Sequence, residues 1–509
     1  MEKKVNSLSS KICYASGDIY GGGAFMIFSL LFMNFLVLVE GLPVVATAII
    51  MFVGRAWDAI TDSIMGRITD VTRSKFGRRR IYFLVGIIPV FLSFFMLFYS
   101  FGIQDVTAKI VYYTLAYMFF GTVISIVMVP YNTILSDMTT DYNQRTSYTT
   151  IRMIFAGGAA LICAVIPSIV IKIFGADTIG ILQKPGYLVM GLIFGALFGA
   201  CWFVVFLGTW EKKDVPKPEK IPLKNFLSVF KNKTYKDFLG IFLPFQISTD
   251  LVLALIIFYI DIVVLQYKYF ELVVGTLLVF STMLVAVHGR IAEKKGKAFP
   301  LLIGIPAWML STLVFIWLKP PASEGDLTIV IILCILAALI AIGTSAGQLS
   351  TWSMLADIYD IDELRTGKRQ EGLYSGITSF LRKFSSGVAI LLIGFGLQAM
   401  GFNQNEYNKI KAETTNFNPA QYSEYTHSGV EMGSIATGIK WMFVLIPLIL
   451  LLICLIFAIK NKITKQRFDA VLKGIDEFKA RGNIDALTEQ ETADILIATG
   501  MEKDKLWGK

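Results

Sequence analysis

Twelve separate apolar runs, each near the roughly 20 residues a helix needs to cross a bilayer, constrain this chain more than any motif in it. They lie near residues 19–38, 43–65, 81–101, 110–134, 149–173, 187–208, 238–264, 270–289, 299–318, 327–350, 373–398 and 438–459. Inside hydrocarbon every backbone N–H and C=O needs a partner, so runs of this length and spacing fold as helices. The balance of 55% hydrophobic to 17% charged residues fits no ordinary soluble domain. The expected class is an all-α membrane protein with twelve transmembrane helices. Residues 1–10 are polar and lack the apolar core and cleavage site of a secretory signal, which leaves insertion to the first run.

An even number of spans puts both termini on one side, and the basic residues choose the side. Arg67, Arg73, Lys75, Arg78, Arg79 and Arg80 crowd the second loop, and Lys212, Lys213, Lys217, Lys220, Lys224, Lys231 and Lys233 the sixth. Arg290, Lys294, Lys295 and Lys297 follow in the eighth, while the opposite loops are short or mixed in sign. The positive-inside rule then makes these loops and both termini cytoplasmic. The net charge of +9 reflects that topology. It is not a nucleic-acid footprint, because the basic runs sit between spans and carry no recognised binding motif. The five cysteines are scattered without a CxxC pair and the two histidines stand alone, so neither a disulfide framework nor a metal-binding set is expected.

Within the second run, Asp58 and Asp62 stand four residues apart, which stacks them on one helix face. Ionised acids at membrane depth are costly and face a polar cavity, a cation or a basic partner. The pair is therefore a candidate coupling-ion site, the alternative being a structural ion pair with Arg55 or with a base on another helix.

The chain also repeats. Gly66 to Arg80 after the second run and Gly289 to Lys297 after the eighth are both glycine-centred basic hairpins. Leu135-Ser136-Asp137-Met138 after the fourth is echoed by Leu355-Ala356-Asp357-Ile358 after the tenth. Each precedes a span with a basic residue, Arg152 or Lys383. Two six-span halves related by an axis along the membrane normal are the major facilitator pattern, with cargo bound near the midplane between halves. The expected organisation is residues 1–208 as the first bundle, 209–237 as a connecting loop, 238–459 as the second bundle and 460–509 as a tail. In the tail, Thr488-Glu489-Gln490-Glu491 has the form of a capping box opening a helix through Ile497.

The run Trp57 to Gly66 followed by Thr72-Arg73-Ser74-Lys75-Phe76-Gly77-Arg78 resembles the glycoside–pentoside–hexuronide:cation symporter family. Tyr14 to Phe25, Val129-Pro130-Tyr131, Leu355 to Ile358 and Phe380-Leu381-Arg382-Lys383 extend the likeness through nearly all spans. The resemblance implies a transporter rather than an enzyme, without a cofactor. It moves a sugar, glycoside or uronate together with a monovalent cation, Na+ or H+ with Li+ as a further candidate, across a bacterial cytoplasmic membrane. It implies that Asp58, Asp62 and Ser125 bind the cation, that Lys383 couples ion to cargo, and that Arg152 lines the cargo cavity. The sequence leaves sodium and proton open, since two close acids also raise one another's proton affinity. Arg152 has a second reading, as a partner for Asp18.

The departures are as informative. Where melibiose permease-like carriers have sugar-site acids, this chain has Gly22 and Met128, with Asp18 a turn earlier on the first helix. Asn132 and Gln348 replace two aromatics. A cavity with two acids missing leaves Arg152 short of neutralising charge, from which a preference for an anionic sugar is expected. Gln246 and Asp250, four apart in the seventh span, and Ser379, one turn before Lys383, complete the cargo candidates. Asp70, Arg73 and Arg78 form the expected cytoplasmic latch, where the basic loop also meets anionic membrane lipid. A eukaryotic branch of the same family that carries lysolipids is the rival reading, and a polar cavity wall argues against it. An intramembrane aspartyl hydrolase needs facing acids from different helices, whereas this pair shares one.

Overall fold

The computed structural model describes residues 7–139, 142–175, 181–211, 229–319, 327–367, 371–402, 426–427, 430–461 and 463–508. Among them are twelve helices long and apolar enough to cross a membrane. In the first half these are α1 (Leu8–Val39), α2 (Val44–Val71), α3 (Arg80–Leu97), α4 (Val106–Met138), α5 (Tyr142–Phe174) and α6 (Lys184–Gly208). In the second they are α7 (Lys233–Val263), α8 (Phe270–Lys295), α9 (Phe299–Val314), α10 (Leu327–Thr366), α11 (Glu371–Ala399) and α12 (Met432–Lys460). A two-residue strand pair, β1 (Thr426–His427) and β2 (Val430–Glu431), precedes α12.

The packing repeats with the sequence. In the first half α1 packs on α5, α2 on α4 and α3 on α6; in the second α7 packs on α11, α8 on α10 and α9 on α12. Across the halves α2 meets α11 and α5 meets α8, two contacts that the same two-fold exchanges, and α1 also meets α7. The hairpins repeat as well, since Gly77 and Gly296 both take positive φ, 111° and 96°, where a side chain would be strained. At Gly17 a Cβ would lie 2.7 Å from the Tyr131 ring, so glycine lets α1 close on α4.

Lipid-facing stripes fix which side of each helix looks inward. Ile49, Val53, Ile60, Ile64 and Ile68 are exposed along one side of α2 at helical spacing, and Asp58 and Asp62 lie on the other. On α11 the Phe384 ring packs on Phe52 of α2 at 5.8 Å, and Arg382 lies on the opposite side of the helix.

Several helices run past their apolar runs, α10 the furthest. The stretch expected to follow the tenth span, Leu355 to Ile358, lies inside α10, and Leu135 to Met138 inside α4. Hydropathy detects where a helix leaves hydrocarbon, not where its hydrogen bonding stops. The extension of α10 has a function in packing. It supports α13 (Lys465–Arg481) and α14 (Glu489–Thr499), which close a second core of Ile361, Leu364, Val471, Ile475, Phe478 and Ile495. The expected capping box at Thr488 and Glu491 is present.

Candidate functional site

Lys383 of α11 reaches across the interface into α2. Its ammonium lies 2.8 Å from Asp58 Oδ2 and 2.5 Å from Asp62 Oδ2. Asp62 Oδ1 accepts from the Ser125 hydroxyl of α4 at 2.7 Å, and Ser125 pairs with the Thr61 hydroxyl at 2.8 Å. Asp58 is buried at 5% exposure, and among the described residues its Oδ1 has no hydrogen-bond partner. Arg55 does not take the ion-pair role; its guanidinium lies over the rings of Phe25 and Phe28 at 4.9 and 5.2 Å. Sequence reasoning missed Thr61, whose position one turn after Trp57 and between the two acids was the available signal.

The donor set could hold a hard cation. Carboxylate and hydroxyl oxygens are hard ligands, and a buried carboxylate oxygen without a partner is costly unless something positive approaches it. Among the described residues no group of three or more His, Cys, Asp or Glu could hold a metal. Two carboxylates and two hydroxyls, already sharing one ammonium, match a singly charged ion better than a tightly held divalent one.

A second cluster lies within the first half. Arg152 of α5 grips Asp18 of α1 with two bonds, Nε to Oδ2 at 2.5 Å and Nη2 to Oδ1 at 3.1 Å. The Tyr131 hydroxyl donates to Asp18 at 2.8 Å, and its ring lies 4.4 Å from the guanidinium. Asn132, exposed on α4, accepts from Arg152 at 2.9 Å. This corrects the premise that Arg152 lacks neutralising charge. Asp18, although one turn from the expected acid position, supplies a full bidentate partner, so the expected preference for an anionic sugar loses its support.

The other candidates separate. Asp250 pairs with Arg382, a residue the sequence reading quoted but gave no role. Gln348 is exposed on the face of α10 opposite Leu339, and Ser379 is half-buried. Gln246 differs from expectation: at 2% exposure it lies within the second half rather than on a cavity wall, because α7 is enclosed by α10, α11 and α12. One turn below Gln348, Trp352 holds its ring 44% exposed, edge-on to Phe242 at 5.8 Å. That tryptophan was also missed; an isolated aromatic in an apolar helix gives no sequence signal that distinguishes packing from a ring platform.

At the end away from the termini the halves close. Lys172 of α5 and Glu271 of α8 lie 2.8 Å apart, and Lys172 also sits 5.1 Å from the Tyr267 ring. Toward the termini, Asn132, Gln348 and Trp352 are exposed, and a Cβ at Gly157 or Gly158 would meet nothing. The space between the halves therefore opens on the terminal side. In the expected latch, the side chain of Asp70 lies outside the described residues. Arg73 donates to the Thr72 carbonyl, and the backbone N–H groups of Arg78, Arg79 and Arg80 all donate to Glu211 at 2.7 Å. Glu211 thereby caps α3, the carboxylate meeting the positive end of the helix.

Two six-helix halves with an ion-pair cluster on their interface and an opening on one side define a major facilitator transporter. The chain belongs to the MFS/sugar transport protein family, whose profile matches residues 13–465. It is 24% identical to the glucuronide carrier protein homolog of Escherichia coli over 92% of this chain and 95% of that one. It is also 24% identical to the isoprimeverose transporter of Lactiplantibacillus pentosus, over 81% and 84%. With the sodium-dependent lysophosphatidylcholine symporter 1-B of Danio rerio it shares 22%, over 96% and 93%. Its fold superposes on an inward-facing, unoccupied bacterial homologue of the lysosomal transporter Spinster with a TM-score of 0.62 at 13% identity, covering 93% and 98%.

Proposed function

We propose that the chain is a cation-coupled symporter importing a sugar, glycoside or uronate by alternating access, in a bacterial cytoplasmic membrane with both termini in the cytoplasm. The observation that carries this reading is the Lys383 ammonium shared by Asp58 and Asp62 across the two halves. A monovalent cation entering between the carboxylates replaces that ammonium, so ion binding and the contact between halves are one event. Released from the acids, Lys383 no longer ties α11 to α2, and the halves are free to move. Cargo binds in the space bordered by Asp18, Arg152, Asn132, Gln348 and Trp352, where polar groups and an exposed ring suit a polyhydroxylated solute. The relatives named for glucuronide and isoprimeverose support that cargo class. The relative named for lysophosphatidylcholine keeps a lipid in view, and the paired charges bordering the cavity argue against an acyl chain there. The coupling ion is sodium, lithium or a proton.

The test is uptake into proteoliposomes of a panel of radiolabelled neutral glycosides and uronates, under sodium, lithium or proton gradients, with lysophosphatidylcholine as competitor. Accumulation of a sugar against its gradient with one of the cations supports the reading. Uptake of lysolipid alone overturns it.

A further inference from the structure

Asp250 and Arg382 pair apart from the cluster that Lys383 forms with Asp58 and Asp62. Arg382 Nη1 donates to Asp250 Oδ2 at 2.7 Å and Nη2 to Oδ1 at 3.1 Å. The pair joins α7 to α11, just as Asp18 and Arg152 join α1 to α5, and the two-fold that relates the halves exchanges these helix pairs. The similarity extends to burial. Side-chain exposure is 19% for Arg382 and 9% for Asp250, against 14% for Arg152 and 9% for Asp18. Phe384 packs on Phe52 of α2 at 5.8 Å, and Arg382 lies on the opposite side of α11, where it meets α7 and stays partly exposed.

We propose that the Asp250–Arg382 pair is the second half's cargo-recognition element, the counterpart of Asp18–Arg152, so that a polyhydroxylated cargo is held from both halves at once. The inference rests on the symport reading above. A carboxylate–guanidinium pair offers adjacent acceptors and donors in one plane, which fits vicinal hydroxyls on a sugar ring. One such pair on each half gives the cargo a reason to draw the halves together, because its contacts are complete only when both sides engage. Placed in the same half as Lys383 but not bonded to it, the pair affects cargo without affecting the ion.

The experiment uses whichever sugar the wild type accumulates and measures cargo KM, maximal rate and the cation activation constant in proteoliposomes. Asp250→Asn, Arg382→Gln and the double variant are compared with Asp250→Glu. The double variant removes both charges and leaves neither buried alone, so it retains stability that the singles lose. Expected is a rise in cargo KM of about tenfold or more in the double variant, the size expected for a lost hydrogen bond to a charged group. Its cation constant stays at the wild-type value, and KM recovers in part with Asp250→Glu. If the double variant does not insert, Arg382→Lys keeps the charge, loses the planar fork and gives the same rise. A double variant with wild-type cargo KM reduces the pair to a brace between α7 and α11 and overturns the proposal. So does a cation constant that shifts in step with KM. A wild type that accumulates no sugar under any cation gradient overturns the symport reading and this inference together, which separates the two failures.

Discussion

Two kinds of buried ion pair divide this molecule. Asp18–Arg152 and Asp250–Arg382 each lie within one half, while Lys383 with Asp58 and Asp62, and Lys172 with Glu271, join one half to the other. When the halves rock as bodies, the first kind travels intact and the second must break. Removing one partner from a buried pair costs about 3–5 kcal/mol, so a cross-half pair is a barrier unless another charge takes the departing partner's place. On the proposed reading, the coupling cation is such a replacement at the Asp58–Asp62 cluster. Among the described residues the Lys172–Glu271 pair has none, and at 16% and 13% exposure it opens toward water instead. The comparison teaches that position relative to the interface, more than burial, decides which pairs are switches.

The largest effect expected from breaking a switch is at the carboxylates. Asp58→Asn or Asp62→Asn removes the ion ligand and the ammonium's partner together. Gradient-driven accumulation falls to equilibration, an internal-to-external ratio of about 1, since no coupling free energy remains. Cargo exchange between equal concentrations persists because the sugar contacts are elsewhere. Lys383→Gln sharpens the point. Without its competing ammonium the site holds the cation more tightly, so exchange continues while net uptake stops, the ion-free return being left with two unpaired acids. Preserved uphill transport in both aspartate variants, measured as steady-state accumulation, contradicts the comparison at its centre.

A smaller effect is expected at the other crossing. Lys172→Gln weakens closure of the end away from the termini by about 1 kcal/mol, the upper range for a partly exposed pair, and shifts the balance of the two orientations severalfold. A cysteine placed in the loop after α5 reports this as faster labelling by an impermeant thiol reagent from that side. Unchanged labelling places the closure elsewhere, on the α1 and α7 contact.

The architecture was legible because hydrocarbon enforces it: twelve runs, loop charge asymmetry and twin hairpins each carry the fold redundantly. The cluster of Asp58, Asp62 and Lys383 was legible for a related reason, since these residues are conspicuous among apolar neighbours. Pairing across distance the sequence could offer only as an alternative. Asp18 and Arg152 are separated by 134 positions, and their meeting decides whether Arg152 is a free anion receptor or a neutralised one. Gln246 failed for the opposite reason, because i, i+4 spacing says which residues share a face but not what covers that face. The α13 helix was detectable in principle from Phe468, Val471, Ile475 and Phe478 at helical spacing, a pattern overlooked in a segment taken only as a polar tail.

The smallest effect belongs to the tail, which among the described residues packs on α10 and α7 of the second half and so travels with it. Glu491 accepts from Lys473 at 2.5 Å and from the Thr488 backbone N–H at 3.0 Å. The Lys473 ammonium first, and the Thr488 N–H with it, hold the Glu491 carboxyl down at about 2. A carboxyl lowered on folding stabilises fully above its ordinary range and loses that contribution as pH falls from there toward the folded value. Protection of the α13 and α14 amides from hydrogen exchange, corrected for the intrinsic pH dependence, should therefore be flat from pH 7 to about 5 and decline below it. Glu491→Gln should remove the decline. Because both groups are solvent-exposed the change is slight, and because nothing in this contact crosses the interface, Glu491→Gln should leave cation-driven uptake at the wild-type rate. A loss of uptake in that variant would show that the tail engages the moving interface, and the division between travelling and breaking contacts would have to be redrawn to include it.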